Sequence, residues 1–115
     1  MTPLRTFNVE ANLPRLEEAR RLVIDEIRRA QREGIRVLKI IHGYGSSGKG
    51  GTLCSGLHKS FRLRKKEGVI RDFIAGEDFS VFNEVTLSLL TAIPELRGDP
   101  DLNATNEGVT ILWLK

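Results

Sequence analysis

The sequence predicts a two-layer α/β sandwich of about four strands in a mixed sheet, in the order β-α-β-α-β-(α)-β. Two observations carry this. Apolar residues repeat at helical spacing in segments that alternate with short runs of β-branched and aromatic residues, and glycines punctuate the joins. The 115 residues suffice for one domain with one core.

Residues 4–10 alternate Leu4, Thr6, Asn8 and Glu10 with Arg5, Phe7 and Val9, a strand pattern. From 15 to 33, Leu16, Ala19, Val23, Ile27 and Ala30 form one apolar stripe, and Gly34 stops the helix. Glu17 with Arg21, and Asp25 with Arg29, have the spacing of solvated i,i+4 pairs. Residues 35–42 place Val37, Leu38, Ile40 and Ile41 almost without alternation, which marks a strand covered on both faces. Strand, helix and strand joined by short connections predict a parallel crossover.

A second helix is expected from about 52 to 67, closed by Gly68, and then a strand over 69–75. Residues 77–96 carry Phe82, Val85, Leu89 and Ile93 at helical spacing. The turn-forming run 97–108 leads into a last apolar strand over 109–114.

The formal charge is only +3, but it is concentrated: Lys59, Arg62, Arg64, Lys65 and Lys66 crowd into residues 58–68. Such a cluster on one element suits nucleic-acid phosphates, with binding that weakens steeply in salt. No apolar run reaches the length needed to cross a bilayer, and residues 1–10 do not read as a secretory signal, so a cytoplasmic protein with no membrane partner is expected. Cys54 is the single cysteine; it forms no internal disulfide and reads as a small helix residue rather than a metal ligand.

The segment IIHGYGSSGKGG, residues 40–51, leaves the second strand through five glycines, two serines and a lysine. Gly43, Gly48 and Lys49 fall at the G-x-x-x-x-G-K spacing of a nucleotide-binding loop. The residue after Lys49 is Gly50, so the Ser or Thr that holds magnesium is missing, and no later strand ends in an Asp that could complete the metal site. The loop is therefore expected to meet phosphate without hydrolysing a nucleotide. Backbone amides and small side chains of Gly43, Gly45, Ser46, Ser47 and Gly48, with Lys49, suit that contact, and Tyr44 offers a ring for a base.

The strand-ending His42-Gly43-Tyr44-Gly45, within this strand–helix–strand frame, resembles the second motif of the Smr family, the small MutS-related domain. The resemblance covers most of 6–75 and the last strand. It implies a single Smr-like domain over 1–115, with 77–107 as a helix-plus-loop insertion, and a fold similar to the C-terminal domain of a translation initiation factor. It also implies DNA or RNA as partner and, in several members, nucleic-acid cleavage. The family's first motif, L-D-x-H, is altered: its Asp and His positions hold Asn8 and Glu10.

Three expectations follow. The first is a binding domain that uses the glycine loop and the basic helix. The second is an endonuclease assisted by magnesium or manganese, with Glu10 and His42 as the catalytic pair. The third is a protein-interaction module in which Phe79, Val81 and Phe82 of the insertion meet a partner.

Overall fold

In the computed structural model, the described residues are 3–11, 14–43 and 49–115, the side chains of 49–52 aside. The elements are β1 (Leu4–Asn8), α1 (Leu16–Arg32), β2 (Val37–Ile41), α2 (Lys49–Lys66), β3 (Ile70–Ala75), α3 (Glu84–Ala92) and β4 (Val109–Leu114), with 3₁₀ turns at Gly76–Asp78 and Pro94–Gly98. The expected α/β class with a four-stranded mixed sheet is what forms. Its strand order is β1-β2-β4-β3.

β1 and β2 pair in parallel, Asn8 opposite Ile41, and β4 runs antiparallel between β2 and β3. The C-terminal ends of β1, β2 and β3 therefore meet the N-terminal end of β4 at one edge, where Ile41 faces Val109 and Ala75 faces Thr110. His42 and Gly43 both donate their backbone N–H to the Gly108 carbonyl at 3.0 Å, which fastens the exit of β2 to the entry of β4.

One face of the sheet is covered by α1 and α2. The predicted stripe Ala19, Val23, Ile27 and Ala30 is buried there with Leu57, Phe61, Leu38 and Leu112, and Leu16 packs at its margin. Gly56 is needed where the two helices touch, because a Cβ at that position would overlap the Leu16 side chain. At the margin of α1, Arg29 pairs with Glu26 rather than with Asp25, because the Glu26 carboxylate is buried and less screened by water, even though it also receives Arg5 of β1.

The segment 77–107 covers the opposite face and adds a layer there. Phe79, Leu89, Leu90, Ile93 and Leu96 pack on Val37, Ile74 and Ile111. The helical stretch expected over 77–96 is interrupted. Asn83 caps α3 by accepting the N–H of Thr86 at 2.9 Å, and Ser80 receives the N–H groups of Phe82 and Asn83 in the turn before it. The loop that follows is anchored by charge: Lys39, buried in β2, meets Asp99 at 2.8 and 2.9 Å and Asp101 at 2.6 Å.

Candidate functional site

The strand-end edge gathers polar side chains from four elements. His42, just after β2, is fully buried at 0% exposure, with both ring nitrogens engaged. Its Nδ1 lies 2.7 Å from the Gly43 carbonyl and its Nε2 2.8 Å from the Thr110 hydroxyl of β4. His58 of α2 approaches the same hydroxyl, Nε2 to Oγ1, at 2.8 Å.

These partners fix the tautomers. A carbonyl only accepts, so the His42 Nδ1 carries the proton and, in the neutral ring, Nε2 accepts from the Thr110 hydroxyl. The oxygen of Thr110 then accepts the Nε2–H of His58, which makes Nδ1 the unprotonated nitrogen of that ring. Burial depresses the pKa of both imidazoles. For His42 the Gly43 carbonyl and the charges of Glu77 and Glu10 oppose that shift only in part; for His58 the neighbouring His42 adds to it. Both rings are accordingly neutral at pH 7.

The rings stand edge to face, 5.7 Å between centroids, and His58 also packs against Phe61 and Phe73. Beside His58 opens a cleft of about 400 Å³, lined among others by Arg62, Glu77, Asp78 and Asn83.

Glu10 emerges next to His42, as the parallel pairing of β1 and β2 requires. Its carboxylate lies against Gly43, in the space a Cβ there would fill. Gly43 also has φ +76°, so glycine is needed twice over. The Glu10 N–H is received by the Asn8 side chain at 3.0 Å, giving Asn8 a turn-forming role at the end of β1.

The basic helix divides in two. Lys65 pairs with Asp72 at 3.1 Å, and the Arg64 Nε lies 3.2 Å from Glu67. Among the described residues, Lys59, Arg62 and Lys66 make no ion pair, and all three are exposed. Their i, i+3, i+7 spacing places them along one stripe of α2. Lys49 opens α2; Tyr44, Gly45, Ser46, Ser47 and Gly48 lie outside the described residues.

Cys54, expected as a small helix residue, also has a histidine beside it. Its Sγ lies 3.9 Å from the His58 Nε2, because i,i+4 residues on a helix share a face. His58 and Thr110 are the site residues that sequence reasoning missed. The Cys54-x-x-x-His58 spacing held the signal for the first, hidden by the lysines and arginines around it.

The Smr domain model matches residues 13–76, more than half of the chain. The chain belongs to the Smr domain family. Of this family it can be said that its members are generally nucleic-acid-binding and nuclease-associated. The Smr domain of Thermus thermophilus MutS2 is similar in structure, at TM-score 0.60 and 18% identity over 96% of this chain and 98% of that one, a likeness of fold. No curated protein matches.

Among the described residues of this Smr domain, no helix is long and apolar enough to cross a membrane. The aromatic residues of the 77–107 segment separate: Phe79 enters the core, Val81 packs at its edge, and Phe82 is 93% exposed.

Proposed function

We propose that this Smr domain binds DNA or RNA through its phosphates, using the exposed face of α2 together with the glycine loop that precedes it. The observation that carries the reading is the stripe of Lys59, Arg62 and Lys66, whose charge is not spent on neighbouring carboxylates. It runs down the helix that begins at the strand-end edge, so a backbone lying across that edge meets successive cations, and the positive end of α2 adds to the attraction. Arg62 also lines the cleft beside His58.

Fluorescence anisotropy with labelled single-stranded, duplex and branched DNA and RNA, each at low and raised salt, tests this. Salt-sensitive binding to at least one is expected. Absence of binding to all of them at low salt would end the reading.

A second reading, a magnesium- or manganese-assisted endonuclease, is favoured by the Glu10 carboxylate at the root of the loop beside Gly43. In it Glu10 is the metal-facing or basic group. The buried His42 acts through its hydrogen bond to the Gly43 carbonyl, holding the loop, rather than by touching phosphate. A nicking assay with either ion decides it: unchanged cutting by Glu10→Gln and His42→Ala variants would remove both residues from the chemistry.

A further inference from the structure

Three soft or borderline donor side chains converge under the strand-end edge. The His42 and His58 imidazoles and the Cys54 thiol each bring one donor atom, all within 4.8 Å of one another. Two of them come from one turn of α2 and the third from the end of β2, so the cluster is fixed by the same packing that builds the edge. We infer that His42 Nε2, His58 Nε2 and Cys54 Sγ form a binding site for a single zinc-class divalent ion, which ties α2 to the end of β2.

The donor set decides the class of ion. Two imidazoles and a thiol suit zinc, or cobalt(II) in its place, and not magnesium or manganese, which take oxygen ligands. Bonds of about 2.3 Å to sulfur and about 2.0–2.1 Å to nitrogen set tetrahedral donor separations of about 3.3–3.7 Å. Cys54 Sγ and His58 Nε2 already stand at 3.9 Å, so small side-chain rotations close the set. Three protein ligands leave the fourth position to water, as in open zinc sites.

The surroundings favour the ion too. The His42 Nδ1–H is donated to the Gly43 carbonyl at 2.7 Å, the outer contact that metal-binding histidines use to hold Nε2 toward a metal. Thr110 already draws both Nε2 atoms to one point, each 2.8 Å from its hydroxyl. Burial, and after it the charges of Glu77 and Glu107, hold the Cys54 thiol above its usual pKa, so the thiolate forms only with the ion, and the same negative charge attracts a dication.

The Cys54 thiol gives its proton to solvent and binds as thiolate, His42 binds through the lone pair it already presents, and His58 moves its proton from Nε2 to Nδ1. The Thr110 hydroxyl turns away from the rings. One proton is released for each ion bound.

The test uses the full chain, reduced and stripped of metal, with zinc chloride and cobalt(II) chloride alone as probes. Free zinc at about a hundredfold excess over Kd is expected to raise Tm by on the order of 10 °C, reversed by chelator. Cobalt(II) is expected to give a thiolate charge-transfer band, and calorimetry in buffers of differing ionisation enthalpy to report one proton released. Cys54→Ala should abolish the band and most of the shift, and His58→Ala the shift. These half-buried positions are chosen because His42 variants endanger the fold. The assignment is overturned by no Tm shift with zinc, by cobalt binding without the thiolate band, or by a zinc shift in either variant equal to that of wild type.

Discussion

The Thr110 hydroxyl stands 2.8 Å from the Nε2 of the fully buried His42, with His58 on its other side. Thr110 thus donates into one ring and accepts from the other, and it sits where the ends of three strands converge. Thr110→Val keeps the shape and removes the hydroxyl, leaving the His42 Nε2 buried without a partner. Such an orphaned group costs about 1–3 kcal/mol. Urea unfolding of metal-free protein should show that loss with an unchanged m-value, whereas a midpoint equal to wild type would mean that water replaces the hydroxyl.

The two neutral imidazoles make the fold acid-sensitive. Their folded-state pKa values lie below the usual 6.5, because burial opposes the charged form. In the unfolded chain they titrate near about 6.5, so below that pH the unfolded state binds protons that the native state refuses. Their contribution is complete above about pH 6.5 and declines as pH falls toward the depressed folded values. Glu10 and Glu77 pull against the His42 shift, and Arg62 reinforces that of His58. Denaturation midpoints from pH 7.5 to 5 with chelator present should fall in wild type and fall less in His58→Asn; equal slopes would refute the assignment for His58.

Gly43 and Gly76 are both crowded, but by different neighbours. A Cβ on Gly43 meets the flexible carboxylate of Glu10, while a Cβ on Gly76 meets the Asn106 carbonyl oxygen and the Val109 carbonyl oxygen, the latter at 2.7 Å. Side chains turn aside and paired backbone does not. Gly43→Ala should therefore cost about 1–2 kcal/mol for its left-handed backbone, plus a displacement of Glu10. In a double-mutant cycle Glu10→Ala should recover the displacement and leave the backbone cost. Gly76→Ala should cost more, and no single side-chain truncation should relieve it, which thermal unfolding of the four variants measures.

Local periodicity made β1, α1, β2 and β4 readable, since each spends its apolar residues at one period and its ends carry turn formers. The stripe from Leu16 to Ala30 is the plainest case. The position of β4 between β2 and β3 was not readable, because the order of strands depends on contacts between segments far apart in sequence. Lys39 was hidden for the same reason: it sits in an apolar run, and its partners Asp99 and Asp101 lie about sixty residues away in a segment that looks like an ordinary turn-rich loop. At the site, His42 and Glu10 were visible as strand-end residues. The inward orientation of the His42 ring was not, since it follows from Thr110 arriving on an antiparallel neighbour.

Lys39 gives the largest expected stability effect. Burial lowers its pKa, but the hydrogen bonds to Asp101 and Asp99 outweigh this and hold it raised, and the same contacts hold Asp101 low against its own burial. Lys39→Met strands two carboxylates against the sheet and should cost about 3–5 kcal/mol, the usual penalty for breaking a buried pair from one side. The signs are opposite for the two partners. The Asp101 contribution is complete above its unfolded pKa of about 3.9 and is lost as pH falls through the lower folded value; that of Lys39 is complete below about 10.4 and is lost as pH rises past the raised one. Stability curves of wild type should bend at both extremes, and Lys39→Met should remove the alkaline bend; a bend that persists there would assign it to another group.

The division of the basic helix predicts unequal roles for cations that look alike in sequence. Lys59, Arg62 and Lys66 carry charge that neighbouring carboxylates do not share, whereas Lys65 is held by Asp72 and Arg64 by Glu67. A cation that neutralises one phosphate adds about 0.7 to 0.9 to the slope of log K against log salt. Lys59→Ala, Arg62→Ala and Lys66→Ala should each lower that slope by up to this amount and weaken binding across all sequences alike. Lys65→Ala should leave the slope nearly unchanged, because its half-exposed pair with Asp72 already draws its charge inward and is itself worth only about 0–1 kcal/mol. Salt titrations by anisotropy separate the two groups. If Lys65→Ala lowered the slope as much as Lys66→Ala, the nucleic acid would have to displace Asp72, and the binding face would extend from the exposed stripe toward β3.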